Sequence, residues 1–131
     1  MPSTTHRKLV FWGAVQAAIA VGMGAFAAHG LRKELTPRDF EIFETGARYH
    51  MYGALGMILL GLAHERGLVS RWPGWLMQAG IVLFAGSLYA LVLTGTRGLG
   101  AITPIGGTCF LVAWIWLAKD AWPGNKRGAG E

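Results

Sequence analysis

Six residues of this chain have side chains whose types and spacing could do chemistry: Gln16, His29, Glu44, Arg48, Tyr49 and His50. Histidine and carboxylate side chains can bind a metal or relay protons, whereas an amide offers only hydrogen bonds. One interpretation is therefore a small polar cluster of His29, Glu44 and His50. The alternative is structural, because Glu44 and Arg48 are four residues apart and would form an ion pair on one helix.

The motifs of known metal sites and enzymes do not accompany these residues. No two histidines have the H-x-x-x-H spacing, and the sequence contains no Walker loop, dinucleotide fingerprint, nucleophile elbow or zinc signature. His29, Glu44 and His50 are thus weak metal candidates, no catalytic residue is assigned, and no cofactor is expected. An enzyme is disfavoured on these grounds.

Four long apolar segments without charged residues must position these side chains: residues 9–28, 49–63, 72–96 and 98–118. An apolar run of about 18 residues or more can cross a hydrocarbon core about 30 Å thick, and a soluble domain of 131 residues cannot bury four long apolar segments. The sequence therefore predicts an all-α integral membrane protein, a four-transmembrane-helix bundle that forms one domain over residues 1–131. The predicted spans are residues 9–28, 49–64, 75–94 and 103–122.

A polar, amphipathic segment at residues 31–48 lies between the first two predicted spans. Thr36 can cap a helix here, Pro37 suits the first helical position, and Asp39 can act as the acidic partner of a capping box. The segment is either a short helix at the membrane interface or the first turns of a long second span. At the other end of the chain, residues 123–131 are glycine-rich and are expected to be disordered.

The formal net charge of +5 does not indicate a nucleic-acid partner. The basic residues are scattered over termini and loops rather than gathered in one stripe. Seven of the twelve Lys and Arg residues lie in the two termini and in the loop between spans two and three. In a plasma (bacterial inner) membrane, the positive-inside rule then favours both termini in the cytoplasm.

Helices in lipid gain little from hydrophobic burial, so close packing of small residues and interhelical hydrogen bonds must hold the bundle together. Gln16, in the middle of span one, can bond a neighbouring helix or line a ligand path. At the start of span four, Thr103 can cap and Pro104 fits the first turn, while Gly106 and Gly107 permit close approach of another backbone. Stripes of small residues pack either within the bundle or against another copy of the chain.

Span three contains two further polar residues, Gln78 and Tyr89, to which the sequence assigns no functional role. Gln78-Ala-Gly-Ile faintly echoes Gln16-Ala-Ala-Ile of span one, and chance is the simpler explanation for this match. Tyr89 is expected to pack in the bundle with its hydroxyl bonded internally, because no base lies near it in the sequence.

Several strings of this sequence resemble one known family. They are residues 24–31 (GAFAAHGL), 43–49 (FETGARY), 83–89 (LFAGSLY), 102–107 (ITPIGG) and the Ala113-Trp114 pair. In combination they are similar to the small four-span membrane proteins of domain-of-unknown-function family 423, also called uncharacterised protein family 0382, with vertebrate transmembrane protein 256 as a relative. The resemblance covers nearly the whole chain and implies a four-helix integral membrane protein without an established biochemical activity.

The sequence departs from this family at the start of span two. The family usually has histidine four residues after the tyrosine that matches Tyr49, and often glutamine directly after it. Here Gly53 occupies the first position and His50 the second. A shift of three residues keeps the imidazole on the same helical face, about one turn earlier.

Three functions are compatible with these observations. The favoured one is a non-enzymatic membrane protein that binds a lipid or hydrophobic ligand or supports a membrane assembly. The second is an oligomeric small channel or transporter, and the third is a metal-dependent membrane enzyme that uses His29, Glu44 and His50. The expected partners are membrane lipids and another copy of the chain or a different membrane protein.

Overall fold

Four long helices account for almost all of the protein, whose computed structural model describes residues 3–125. They are α1 (Thr5–Leu31), α2 (Pro37–Glu65), α3 (Trp72–Thr94) and α4 (Thr103–Asp120). The last turn of α1 and the middle of α3 are π-helical, and a short 3-10 helix precedes α4; these elements are Ala27–Leu31, Ile81–Ala85 and Arg97–Ala101. Every regular element in the described part of the chain is helical, which confirms the predicted all-α class.

Three of the four helices described are long and apolar enough to cross a membrane. They are Thr5–Leu31, Trp72–Thr94 and the segment Arg97–Asp120, which joins the 3-10 helix to α4. The longest single helix, α2 with 29 residues, does not qualify, because its first three turns are the polar segment at residues 37–48. Length and composition therefore support three of the four predicted transmembrane helices.

Of the two alternatives for the segment at residues 31–48, the structure does not have the separate amphipathic helix between two spans. From Pro37 onward the segment forms the first turns of α2, and the Thr36 hydroxyl caps this helix by accepting a hydrogen bond of 3.1 Å from the Asp39 backbone N–H. The structure thus has the second predicted alternative, a long second helix. The physical reason is that in α2 no proline follows the first helical position, Pro37, and the one glycine before Tyr49, Gly46, is buried against Tyr89 inside the helix.

The predicted disordered tail falls largely on residues 126–131, which lie outside the described residues. Within the described part, the side-chain amide of Asn125 donates to the carbonyl oxygens of Lys119 and Asp120, over 3.4 and 3.2 Å. Since the last carbonyls of a helix have no partner within it, these bonds cap α4. The helix ends at Asp120 rather than at residue 122 as predicted.

Helix α2 lies antiparallel to α1 along most of its length, and glycines set the close distance. A β-carbon placed on Gly13 of α1 would lie 2.7 Å from Ile58 Cγ1, and one placed on Gly61 of α2 would lie 3.0 Å from Leu9 Cβ. Towards the other end of the pair, the rings of Phe26 and Phe43 are 6.2 Å apart. Close packing of this kind replaces the hydrophobic driving force that is missing between helices in lipid.

The contact between α3 and α4 depends on Gly106. A β-carbon on this residue would come within 2.8 Å of the Leu83 carbonyl carbon and the Phe84 Cα. These are backbone atoms of the π turn Ile81–Ala85, so no side chain could move aside. At the same crossing, Gly80 of α3 lies against the ring of Phe110, where a β-carbon would be 2.7 Å from Cδ1 and 3.2 Å from the Gly106 carbonyl oxygen.

Two apolar clusters fill the bundle. The larger one lies towards the N-terminal end of α1 and contains Leu9, Met57, Leu60, Val69, Met77, Ile81, Phe110 and Ala113. The smaller one lies towards the other end and contains Ala27, Phe43, Leu91 and Val92. Along α2, His50 lies between Phe43 of one cluster and Met57 of the other. Buried polar groups therefore interrupt the apolar interior at this level.

Candidate functional site

Four polar side chains, linked in a row by hydrogen bonds, pass through this level and join three helices. His50 Nε2 of α2 lies 2.7 Å from Gln16 Oε1 of α1, and His50 Nδ1 lies 3.0 Å from the Tyr89 hydroxyl of α3. Gln16 Nε2 in turn donates over 3.2 Å to Gln78 Oε1, also on α3. We call Gln78, Gln16, His50 and Tyr89 the polar chain.

The donors and acceptors of the polar chain follow one consistent direction. An amide oxygen only accepts, so His50 Nε2 must carry the proton that is donated to Gln16 Oε1. The other ring nitrogen of a neutral imidazole then accepts, and the Tyr89 hydroxyl donates to it. His50 is only 4% exposed, and both of its nitrogens have partners, as a buried polar group requires.

The polar chain runs along the helix axis rather than across it. Gln78 and Tyr89 both belong to α3 and are eleven residues apart, which corresponds to about 16 Å at a rise of 1.5 Å per residue. Gln16 and His50 bridge this distance from the two neighbouring helices. The bonds therefore tie α1 and α2 to two levels of α3.

A cleft of about 250 Å³ opens above the polar chain, between α1 and α3. Gln16, His50 and Tyr89 line its floor. Its walls are almost wholly apolar and consist of Ile19, Met23, Ile81, Val82, Ala85 and Gly86. A β-carbon on Gly86 would have no other atom within 4 Å, so this glycine widens the cleft. The arrangement combines an apolar passage with hydrogen-bonding groups at its base, as in many small-molecule sites.

The structure separates the predicted cluster of His29, Glu44 and His50. His50 is buried and faces Gln16, whereas His29, in the π turn of α1, and Glu44, on α2, are exposed. No group of three His, Cys, Asp or Glu residues within residues 3–125 could hold a metal ion. The metal-dependent enzyme interpretation thus has no geometric support in the described part of the chain.

The other candidates on α2 also point away from the polar chain. Arg48 is exposed and forms no ion pair with Glu44, in contrast to His6 with Glu65 and Asp39 with Arg97. Tyr49 is 40% exposed, with its ring 5.0 Å from that of Phe84. Of the six residues singled out in the sequence, Gln16 and His50 are the two brought together.

The predicted residues at the start of α4 lie at its crossing with α3. Thr103 does not cap the helix with its side chain; its hydroxyl lies 2.6 Å from that of Ser87, which donates to the Phe84 carbonyl. Pro104 occupies the first turn. Gly106 meets the α3 backbone as described above, and Gly107 faces the Phe84 ring, 3.7 Å from a β-carbon placed there.

Two members of the polar chain, Gln78 and Tyr89, were missed as functional candidates. The recurrence of Gln-Ala-x-Ile at residues 16 and 78 was the signal for Gln78, since the two amides now share a hydrogen bond. Tyr89 was expected to bond internally, but its partner could not be named, because the sequence does not give the rotation of one helix against another.

The structure leaves no space for a side chain at Gly53, the position at which this sequence departs from the family pattern. Both Gly53 and His50 are buried on α2, and a β-carbon on Gly53 would lie 2.7 Å from Ile81 Cγ1 and 2.8 Å from Phe110 Cε1. Ile81 and Phe110 thus occupy the space that a side chain at position 53 would need. The imidazole comes instead from His50, one turn earlier.

A second polar contact lies near one end of the bundle. Arg97 Nη1 and Nη2 donate to the two carboxylate oxygens of Asp39, over 2.9 and 3.1 Å. The guanidinium group holds the pKa of the Asp39 carboxyl below its ordinary value. This bidentate pair joins the first turn of α2 to the 3-10 helix before α4.

Fold and site together define a small all-helical membrane protein with a hydrogen-bonded polar chain among three of its helices. The chain belongs to the family described as Protein of unknown function (DUF423), which matches residues 23–107. This confirms the resemblance found in the sequence. The matched stretch contains His50, Gln78 and Tyr89 but begins after Gln16.

Named relatives agree with this membership. The UPF0382 membrane protein YwdK of Bacillus subtilis strain 168 is 46% identical over 119 residues, covering 88% of this chain and 96% of the relative. A UPF0382 membrane protein of Staphylococcus epidermidis strain ATCC 12228 is 47% identical over 112 residues, covering 85% and 92%. No solved structure matches the chain. With the apolar helices, these relatives support a membrane location.

Proposed function

We propose that the protein crosses a bacterial inner membrane four times, with both termini in the cytoplasm. Support for the span through α2 comes from packing rather than hydropathy. Between Phe43 and Gly61, α2 lies against α1 from Phe26 to Leu9, inside the apolar run of that helix. A helix packed in this way shares the depth of its neighbour, and its buried histidine, His50, faces protein instead of lipid.

Cysteine labelling tests this topology. In a background with Cys109→Ala, the exposed residues Glu34 and Arg66, which flank α2, are replaced one at a time by cysteine. A membrane-impermeant thiol reagent applied to intact cells should label Glu34→Cys but not Arg66→Cys, and broken cells should allow both. Labelling of both residues, of neither, or of Arg66→Cys alone in intact cells would contradict the proposal.

We further propose that the protein binds one hydrophobic molecule with a polar group in the cleft between α1 and α3. The single observation that carries this function is the apolar cleft of about 250 Å³ with Gln16, His50 and Tyr89 at its floor. The apolar walls alone would contact a lipid tail as readily as any other hydrophobic molecule. A polar floor, however, favours a molecule with a carbonyl or hydroxyl group, because a polar group in an apolar setting is costly without a hydrogen bond.

The cleft volume limits what enters it. About 250 Å³ is slightly below the usual range for small-molecule sites of roughly 300–1,000 Å³. It accommodates a ring or a headgroup rather than a whole lipid. The remaining apolar part of the ligand would extend along the groove between the two helices.

Two glycine substitutions form a matched test. Gly86→Leu adds a bulky side chain to the lining of the cleft, and Gly22→Leu adds the same side chain to α1; at both positions a β-carbon has no other atom within 4 Å. Hydrophobic molecules that copurify from a mild detergent are identified and counted by mass spectrometry. One compound should be retained by wild type and Gly22→Leu and lost from Gly86→Leu. Equal retention by all three proteins would refute the cleft as its site.

The alternative function is an oligomeric small channel or transporter, and the polar chain does not favour its proton-conducting form. Two of its four members, Gln16 and Gln78, are amides, and amides do not titrate. A relay would need ionisable groups such as Asp, Glu or His at successive positions. These side chains are better suited to joining helices and lining a ligand site than to conducting protons.

A further inference from the structure

Glu44 and Arg48 form an unpaired charged patch on the outer face of α2. Both side chains are exposed, and neither has an ion-pair partner among residues 3–125. They lie on a different face of α2 from the buried Phe43, Ala47 and His50. Nothing within the described bundle therefore accounts for these two charges.

The depth of the patch makes it costly. This step rests on the four-span topology proposed above. Arg48 is two residues from His50, which bonds to Gln16 in the middle of α1, and Glu44 follows Phe43, which packs near Phe26. Both charges thus lie level with the apolar run of α1, where ionisable side chains are rare and almost always pair or face protein.

The same face of α2 carries the spacing of a helix–helix contact. The exposed residues recur at intervals of three or four and are Glu44, Arg48, Tyr52, Leu55, Leu59 and Leu62. Such spacing keeps one stripe turned towards a partner helix that crosses at a small angle. Apolar residues that face lipid need no explanation by themselves. Here, however, they lie in one stripe with the two charged residues.

We propose that a second copy of this chain covers this face, with the two α2 helices side by side and parallel. In a two-fold dimer whose axis is normal to the membrane, the same surface meets itself. Glu44 of each copy then lies near Arg48 of the other, one turn away along the helix. Two reciprocal ion pairs form, and the stripe from Tyr52 to Leu62 packs against its equivalent.

Charge complementarity favours a second copy over lipid headgroups. An arginine can extend to anionic headgroups at the membrane surface, and this would satisfy Arg48. The same headgroups repel the carboxylate of Glu44. A partner that presents one positive and one negative charge at this spacing satisfies both, and the chain itself has that pattern.

A charge-reversal experiment tests the dimer. Differently tagged copies are coexpressed, and recovery of one through the tag of the other is measured in mild detergent. Glu44→Lys copies, with two positive charges in the patch, and Arg48→Glu copies, with two negative charges, should each lose self-association several-fold. Mixing the two variants should restore association to the wild-type level, because opposite patches then meet.

An ion pair within one helix, or contact with headgroups, would not give this result. Either case predicts the same recovery for mixed and unmixed variants, and that outcome would overturn the proposal. Retention of the copurifying ligand shows that each variant is folded. Loss of ligand from Gly86→Leu with intact charge-dependent association would separate the two proposals, since the dimer does not involve the cleft.

Disulfide crosslinking gives an independent measurement. In the Cys109→Ala background, Leu55→Cys or Leu59→Cys on α2 should yield dimers on mild oxidation. Leu111→Cys on α4 is the matched control, because Leu111 is 63% exposed but lies on a different helix. Equal crosslinking at residues 55, 59 and 111 would indicate random collision and would contradict the proposed face.

Discussion

The polar chain and the Gly106 contact hold the same bundle together in opposite ways. The polar chain joins its helices by side-chain hydrogen bonds of 2.7 to 3.2 Å, made by long side chains that can shift. At Gly106, α4 touches the backbone of Leu83 and Phe84, which cannot move aside. A polar contact in this bundle can therefore weaken gradually, whereas the backbone contact is either kept or lost.

The largest expected effect is at the backbone contact. Gly106→Val should lower the free energy of unfolding by about 3 kcal/mol or more, because overpacking against backbone leaves no side chain to rearrange. Gly107→Val is the matched control on the next residue, where a β-carbon would be 3.7 Å from the Phe84 ring. Unfolding in mixed micelles measures both. Equal losses in the two variants would show that the helix, rather than the crossing, had been damaged.

The centre of the polar chain should be the next most sensitive position. His50→Leu removes two hydrogen bonds and leaves Gln16 and Tyr89 without these partners, so a loss of about 1–2 kcal/mol is expected. The same unfolding assay measures it. A double variant with Gln16→Leu should lose less than the sum of the two single variants, because the two residues share a bond. Simple additivity would argue against the contact.

The end of the polar chain should contribute less. Tyr89→Phe removes one hydroxyl and should cost about 0.5–1 kcal/mol, in line with single interhelical hydrogen bonds in membranes. Tyr49→Phe removes the same group from a residue that is 40% exposed and should have almost no effect on unfolding. If the two variants have the same free energy of unfolding, the hydrogen bond of the Tyr89 hydroxyl does not stabilise the bundle.

The smallest expected effect is at the surface pair of Asp39 and Arg97. The pKa of Asp39 is lowered in the folded protein, so its contribution is fully present above the ordinary carboxyl pKa and is lost as the pH falls through the lower folded value. Asp39→Asn should thus be slightly less stable than wild type at neutral pH, and the difference in Tm should vanish in acid. Glu34→Gln, at an exposed residue of the preceding loop, is the control. A difference that persists in acid would exclude the ion pair as its cause.

The sequence predicts the helices of this fold better than it predicts their number of spans. Uncharged runs identify α1, α3 and α4, because lipid requires long apolar segments. In α2, hydropathy reports the charges of residues 37–48 and misses that Phe43 and Gly46 are buried against neighbouring helices. The position of α2 depends on its packing against neighbouring helices, and a local average of hydropathy does not report that packing.

The candidate site was predictable in its parts but not in its connections. Gln16 is noticeable because it is an isolated polar residue in an apolar run. His50 was grouped with His29 and Glu44 by proximity in sequence, yet its partners are Gln16 and Tyr89, which are 34 and 39 residues away. Such pairings depend on how each helix is rotated about its axis, and no spacing within one helix determines this.

The cleft between α1 and α3 opens at the side of the bundle, which determines how any occupant arrives. A molecule dissolved in the bilayer would reach His50 by diffusing in two dimensions, without passing through water. Its occupancy would then follow its mole fraction among the lipids rather than its bulk concentration. Diluting the membrane with inert lipid, at constant protein and total ligand, should therefore empty the site.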